Sequence, residues 1–317
     1  MIIQVLILLA GLFLVVVGAD YLVEGASSIA RRFGLSEFII GLTIVGMGTS
    51  APEMVVSFIG AVQGNADISL GNVTGSNVFN TLLILGITAL LLPMGITPEN
   101  KKKDVPMNIL ITVVLILLGL EHTLLGIGTD GLSRIDGAIL LALFVLYMWP
   151  RFKEKGADEP AAEDKPMKLW VSALIILASL AALILGGNLF VNSSVKIAHS
   201  LGVSDKFIAI TLLAGGTSMP ELATCVAAAI KKKGQLALGN IIGSNIFNIL
   251  LILGGSALIH PLSFAGISYV DLGALLVSAL ALLTACYVGK KDMLDRTDGV
   301  FFLLLFAGYM TYLIVNL

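Results

Sequence analysis

Charge is scarce in this sequence, because only 13% of its 317 residues are charged while 57% are hydrophobic. A soluble protein of this length needs far more polar surface, so the composition indicates a membrane protein. The net charge of −2 offers no basic surface to nucleic acid. Cysteine is also scarce: Cys225 and Cys286 share no motif spacing and give no sign of a disulfide framework or a zinc site.

Histidine is the next scarce residue type. His122, His199 and His260 are the only three, and each lies near the end of an apolar stretch. No imidazole is therefore expected at mid-membrane depth. This argues against a Ser-His hydrolase, a His-Glu-x-x-His metalloprotease and a proton relay built on histidine.

Apolar windows long enough to cross a bilayer occur ten times, so the sequence predicts an all-α membrane protein with ten transmembrane helices. The N-terminal window has no basic residue before it and no small-residue cleavage site, so we expect a permanent span there. The ten windows are 2–24, 36–62, 69–93, 105–125, 132–150, 168–192, 204–230, 236–259, 267–289 and 298–316.

The basic residues predict the orientation of these spans. If the N-terminus lies outside, 16 of the 19 basic residues fall in cytoplasmic loops, and only Arg134, Lys196 and Lys206 lie outside. By the positive-inside rule both termini are then outside the cytoplasm. We expect a multi-pass protein of the inner (plasma) membrane that functions as a monomer.

A repeated hexapeptide divides the chain into two halves. Gly-Thr-Ser-Ala-Pro-Glu at 48–53 and Gly-Thr-Ser-Met-Pro-Glu at 216–221 stand 168 residues apart, and 24 of 57 positions match between 30–86 and 198–254. Five spans, an odd number, fill each half, so the second half must enter the membrane from the opposite side, as in transporters with inverted repeats. The predicted units are a first repeat at 1–150 (alpha-1 repeat about 36–93), a cytoplasmic linker at 151–167 and a second repeat at 168–317 (alpha-2 repeat about 204–259). The alternative is an old duplication kept for packing alone.

Each hexapeptide places a carboxylate at mid-membrane depth, which costs roughly 2.5–3.5 kcal/mol. Pro52 is expected to break the second span and to leave carbonyls around Gly46 free. Thr49, Ser50 and Glu53 then share one helix face, and the other half repeats the arrangement with Thr217, Ser218, Pro220 and Glu221. Carbonyl, hydroxyl and carboxylate oxygens are the ligands that suit a hard cation.

The third and eighth spans carry polar stripes with a spacing of four residues. Ser76 and Asn80 in one span, and Ser244 and Asn248 in the other, are site candidates because they lie deepest on these stripes. Four further asparagines fit a site or helix–helix contacts equally well: Asn72, Asn77, Asn240 and Asn245. The glycine pairs 71/75 and 239/243 are expected to allow close helix approach.

Other functions remain open from these residues alone. The two glutamates could be protonated structural acids, the acids of an intramembrane enzyme or the lining of a passive channel. An enzyme is disfavoured because no aspartate pair lies at the midplane. A channel is disfavoured because a pore needs weak, multi-site binding.

The two repeats, Gly-Thr-Ser-x-Pro-Glu followed by Gly-Asn-x-x-Gly-Ser-Asn-x-Phe-Asn, resemble those of the cation/calcium exchanger superfamily, and within it the prokaryotic sodium/calcium exchangers. The resemblance covers essentially the whole chain. It implies antiport of Ca²⁺ against Na⁺ by alternating access, no cofactor, and sliding of the first and sixth spans across the other eight. It also implies these roles: Glu53 and Glu221 as Ca²⁺ ligands, Thr49, Thr217, Gly46 and Ala214 as carbonyl donors, Ser50, Ser76, Ser218 and Ser244 as Na⁺ ligands, and Asn80 and Asn248 as the rest of the central cavity.

One position departs from part of that superfamily. Some relatives have an aspartate where this chain has Asn248, so the fixed charge of the predicted site is at most −2. We therefore expect independence from K⁺, and Na⁺ coupling that differs from the aspartate-bearing relatives. A Ca²⁺/H⁺ antiporter, or an exchanger of another divalent cation, is the alternative, because two glutamates also carry protons.

Overall fold

The computed structural model describes residues 2–126, 129–151, 166–201, 215–288 and 292–316, and nearly all of them are helical. We number the helices in chain order. They are α1 Ile2–Phe33, α2 Glu37–Thr49, α3 Ala51–Val62, α4 Ala66–Leu91, α5 Val105–Gly119, α6 Glu121–Leu125, α7 Arg134–Arg151, α8 Leu169–Ser200, α9 Met219–Ile230, α10 Gly234–Ile259, α11 Tyr269–Val288 and α12 Arg296–Asn316.

Within the described ranges six of these helices are long and apolar enough to cross a membrane by themselves: α1, α4, α8, α10, α11 and α12. The bent pair of α2 and α3 forms a seventh candidate span. The first half of the predicted seventh span, including Ala214, lies outside the described residues.

The helices of the first and sixth predicted spans, α1 and α8, are longer than predicted. α1 runs on to Phe33 and α8 to Ser200, although the apolar windows stop near 24 and 192. Hydropathy marks where a helix leaves the apolar layer, whereas the helix itself continues until its backbone is interrupted. For α1 the interruption is Gly34, whose φ of +63° suits glycine after a helix C-terminus.

The helices with polar stripes lie at the centre of the molecule. The apolar windows of α10 and α4 are 94% and 78% buried, whereas the window of α1 is only 22% buried. The periphery instead exposes large apolar side chains such as Phe13 and Leu174, as expected for a surface in contact with lipid.

Peripheral helices α1 and α8 pack closely against each other. A Cβ added at Gly11 would lie 2.7 Å from the main-chain oxygen of Gly186, and one added at Gly186 would lie 2.8 Å from that of Gly11. This mutual contact brings the two backbones together, as small residues do in membrane helix pairs.

Close approach also joins α10 to α2. Cβ atoms added at Gly239 and Gly243 would overlap the main chain of Phe38 and Leu42, which confirms the predicted role of this glycine pair. By the repeat spacing of 168 residues, Gly71 and Gly75 of the first repeat would face residues 206–210, which lie outside the described residues.

Four two-residue strands, which the sequence does not predict, tie the loops together. β1 (Met94–Gly95) pairs with β4 (Met293–Leu294), and β2 (Gly131–Leu132) pairs with β3 (Leu262–Ser263), both antiparallel. β1 follows α4 and β3 follows α10, at a spacing of 168 residues. Each small sheet therefore joins the end of a central helix to the start of the last helix of the other half, α4 to α12 and α10 to α7.

Candidate cation-binding site

The site begins at the helix break that the proline predicts. α2 ends at Thr49 and α3 begins at Ala51, with a bend of 48° between them. Ser50 at the bend has φ −80° and ψ 8°, and Ser218 before α9 is similar, with φ −85° and ψ 8°. Ser50 therefore interrupts the helical dihedral angles between Thr49 and Glu53, the two residues that the sequence places on one helix face with it. The bend turns its side chain to the other half of the molecule.

The two halves exchange hydrogen bonds across the site. Ser50 Oγ donates to Glu221 Oε1 over 3.0 Å, and Ser218 Oγ donates to Glu53 Oε1 over 3.2 Å. All four side chains are at most 2% exposed. Each carboxylate is thus held by the hydroxyl of the opposite repeat, which brings Glu53 and Glu221 to one place.

The serines of the polar stripes also face these carboxylates. Ser76 Oγ donates to Glu53 Oε1 and Ser244 Oγ to Glu221 Oε1, each over 3.4 Å. Ser244 Oγ lies equally far from the main-chain oxygen of Gly46. That carbonyl, which the sequence predicts to be free, also accepts the Ser50 N–H over 3.1 Å.

The threonine hydroxyls contact asparagines of the opposite half. Thr49 Oγ1 donates to the carbonyl of Val45 over 3.1 Å and contacts Asn240 Oδ1 at 3.2 Å. Thr217 Oγ1 donates to Asn72 Oδ1 over 3.4 Å. Asn72 and Asn240 therefore connect each threonine to the opposite half, which supports a packing role for these two asparagines.

Four buried oxygens at the centre have no hydrogen-bond partner in the part of the chain that the structure describes. They are Oε2 of Glu53, Oε2 of Glu221, Oδ1 of Asn80 and Oδ1 of Asn248. Leaving a buried acceptor unsatisfied costs about 1–3 kcal/mol each. Two carboxylate and two amide oxygens are hard donors of the kind that Ca²⁺ and Na⁺ accept, so this set fits a cation as bound substrate.

The two central asparagines lie in π-helical turns, which the sequence does not predict. These turns span Phe79–Ile84 and Phe247–Leu253, so they begin 168 residues apart. A π turn inserts one extra residue in a helix and is frequent at functional sites. The spacing of four residues along the stripe assumes a regular α-helix, and no local residue signals the widening.

A cavity of about 420 Å³ lies beside both helix breaks. Pro52, Thr217 and Pro220 line one side, and Asn188 and Asn192 of α8 line the other. The sequence reasoning missed the two α8 asparagines. Their spacing of four residues within an apolar helix is the signal that would have identified a polar face directed at the site.

The fold and the polar cluster together define a multi-pass helical membrane protein with a buried group of unpartnered oxygens that fits a cation. The sodium/calcium exchanger protein family model matches residues 3–153 and 171–315. The chain therefore belongs to this family. It is a transporter and not an enzyme, and the ions of this family are cargo rather than cofactors.

Similar proteins cover the full length of the chain. The putative antiporter CaxA of Alkalimonas amylolytica is 39% identical, over 98% of both chains. The sodium/calcium exchanger MaX1 of Methanosarcina acetivorans is 32% identical, over 97% of both chains. The solved sodium-calcium exchanger NCX_Mj, soaked with Na⁺ and Ca²⁺, is 32% identical and superposes with a TM-score of 0.83 over 98% of both chains.

A bacterial relative agrees with the expected localisation. The inner membrane protein YrbG of Escherichia coli is 32% identical over 99% of this chain. The protein is a multi-pass membrane protein, in line with the candidate spans of the structure.

Proposed function

We propose that this protein is a secondary-active antiporter that exchanges Ca²⁺ for Na⁺ by alternating access. The observation that carries the proposal is the set of four unpartnered buried oxygens from Glu53, Glu221, Asn80 and Asn248. Sodium coupling is favoured over proton coupling by likeness. MaX1 and NCX_Mj match nearly the whole chain at 32% identity, whereas a Ca²⁺/H⁺ antiporter of Aphanothece halophytica is 24% identical over 88% of it.

The residues take different roles in this proposal. Glu53 and Glu221 bind Ca²⁺ through their carboxylates, and Asn80 and Asn248 complete the central cavity. The serines that face the carboxylates bind Na⁺ when Ca²⁺ has left. The full set is Glu53, Glu221, Asn80, Asn248, the serines Ser50, Ser76, Ser218 and Ser244, and the main-chain oxygens of Thr49, Thr217, Gly46 and Ala214.

The proposed architecture is ten spans in two inverted halves of five, at 1–150 and 168–317, with both termini outside. Reciprocal hydrogen bonds, Ser50 to Glu221 and Ser218 to Glu53, support a local two-fold relation between the halves. The family match also falls in two blocks. The odd number of spans in each half and the one-sided basic loops favour inversion over a parallel repeat.

The cavity beside the breaks lies towards the C-terminal part of α8, since Asn188 and Asn192 line it. In the proposed topology that part of α8 approaches the outside. We therefore assign this structure to a state whose site is reached from outside the cell.

Flux of ⁴⁵Ca²⁺ into proteoliposomes tests the proposal. Uptake driven by an outward Na⁺ gradient is expected, with no effect of added K⁺. Uptake that is independent of the Na⁺ gradient but driven by a pH gradient would establish a Ca²⁺/H⁺ antiporter instead. No coupled Ca²⁺ uptake under any gradient would reject both.

Neutral variants of the two acids test the site. Glu53→Gln and Glu221→Gln keep the shape of the side chain but remove one charge, so each is expected to abolish Ca²⁺ exchange while the protein still folds. Glu99→Gln, at an exposed position before α5, is the matched control and should exchange as the wild type does. Normal exchange by either site variant contradicts the paired-carboxylate site.

A further inference from the structure

Two asparagines behind the site connect the halves of the molecule. Asn77 in α4 and Asn245 in α10 are each only 2% exposed. Asn248 Nδ2 donates to Asn77 Oδ1 over 2.9 Å, and Asn80 Nδ2 donates to Asn245 Oδ1 over 3.2 Å. The central amides of Asn80 and Asn248 thus each donate a hydrogen bond to an asparagine of the opposite repeat.

The direction of the hydrogen bond between Asn77 and Asn248 is imposed by the backbone. Asn77 Nδ2 lies 3.2 Å from the main-chain oxygen of Asn245, and a carbonyl oxygen only accepts hydrogen bonds. Asn77 must therefore turn its NH₂ group to that carbonyl and its Oδ1 to Asn248. Asn248 must in turn present its NH₂ group to Asn77, and its own Oδ1 is then the buried oxygen that has no hydrogen-bond partner among the described residues.

The direction of the second hydrogen bond, from Asn80 to Asn245, is not fixed by the backbone. Asn245 Nδ2 donates to the hydroxyl of Thr81 over 2.9 Å, and a hydroxyl both donates and accepts. The residue that matches Thr81 in the second repeat is Ile249, so the bond has no mirror image. Of these two hydrogen bonds, only the one between Asn248 and Asn77 therefore has a direction fixed by a main-chain acceptor.

We infer that Asn77 is a positioning residue that sets cation affinity by holding the amide of Asn248 with its oxygen towards the bound cation. This inference rests on the proposed function. With the amide rotated by half a turn, the NH₂ group of Asn248 would face the cation and repel it. The same contact explains why an amide suits position 248. A carboxylate there would place one of its oxygens 2.9 Å from Asn77 Oδ1, and both of these atoms are hydrogen-bond acceptors.

A double-mutant cycle between positions 77 and 248 tests the inference. Equilibrium ⁴⁵Ca²⁺ binding is measured on the purified wild type, Asn77→Ala, Asn248→Ala and the double variant. Loss of a residue that orients a ligand weakens metal binding about 10- to 100-fold, so Asn77→Ala is expected to raise the Kd for Ca²⁺ by that factor. If Asn77 acts through Asn248, the same change in the Asn248→Ala background should alter the Kd by no more than about twofold.

A control in the same helix separates positioning from general packing. Thr88 is fully buried in α4, and its hydroxyl donates within its own helix, to the carbonyl of Ile84 over 2.7 Å. Thr88→Val should keep the Kd of the wild type. If Asn77→Ala does not fold, Asn77→Ser keeps a polar side chain too short to reach Asn248, and the same coupling is expected.

The outcomes are distinct. Effects of Asn77 and Asn248 that add in full, or wild-type affinity of the Asn77 variants, overturn the inference. If the wild type binds no Ca²⁺, the proposed function itself fails.

Discussion

Replacing Gly243 with alanine tests how closely α10 must approach α2 for the site to form. The added Cβ would overlap the carbonyl oxygen of Leu42 and lie 2.8 Å from its carbonyl carbon and its Cα. Ordinary contact between carbons is about 3.5 Å, so the helices must separate by about 0.7 Å. Every atom in the way belongs to the main chain, so no side chain can rotate to give room.

Both stability and affinity should fall. Overpacking costs about 1–3 kcal/mol, and the better helix propensity of alanine offsets about 1 kcal/mol of it. We therefore expect a net loss of up to about 2 kcal/mol in the free energy of unfolding. Ser244 follows directly, and its 3.4 Å contact with the Gly46 carbonyl is already long, so further separation breaks it. The Kd for Ca²⁺ should then rise on the order of tenfold.

Thermal unfolding in detergent and ⁴⁵Ca²⁺ binding measure the two effects. Gly308→Ala is the matched control, because that residue is exposed on α12 and a Cβ there meets no atom within 4 Å. It should leave binding unchanged and should not lower stability. A Gly243→Ala protein with the stability and the Kd of the wild type would refute the reasoning.

Three further predictions concern charges at the membrane surface. Asp104 and Arg151 form a buried ion pair, with Arg151 Nη2 3.0 Å from Asp104 Oδ1. Asp104→Asn removes the negative partner, so thermal unfolding should show a loss of about 3–5 kcal/mol in the free energy of unfolding. Hydrogen bonds from the Thr123 hydroxyl and N–H lower the pKa of Asp130. The stability that this carboxylate contributes is present above its unfolded pKa and is lost as the pH falls through the lowered pKa. Thr123→Val should therefore raise the pKa of Asp130 in an NMR titration. Burial lowers the pKa of Lys231, but hydrogen bonds to two carboxylates of α1 raise it overall, so its contribution is lost as the pH rises through the raised value. Since those carboxylates are half exposed, Lys231→Gln should cost less than about 1 kcal/mol, and less still at high salt.

The repeat made the main parts of the fold and site predictable. Identical polar residues 168 positions apart predict the same surroundings twice, and Pro52 predicts a break that the 48° bend confirms. Composition and hydropathy likewise predict a helical membrane protein. These signals are local or internal to the chain, so a single sequence carries them.

Side-chain partners across the interface were beyond such reasoning. Helix periodicity placed Ser50 on one face with Glu53, but it gave no sign that the Ser50 hydroxyl donates to Glu221 of the other half. The π turns around Asn80 and Asn248 and the α8 asparagines at the cavity were missed for a related reason. Each depends on how two distant segments pack, which neither hydropathy nor residue spacing records.

The crossed hydrogen bonds constrain how such a site can change access. Glu53 is held by Ser218 and Glu221 by Ser50, so separating the halves would remove from each buried carboxylate the hydrogen-bond donor of the opposite repeat and leave only the longer contact with Ser76 or Ser244. That loss is expensive, because charged acceptors in a buried site need their donors. The movement is therefore cheaper at the periphery, where α1 and α8 are largely exposed. Their mutual contact through Gly11 and the fact that α8 lines the cavity support the proposal that the two helices move as one unit past a fixed centre.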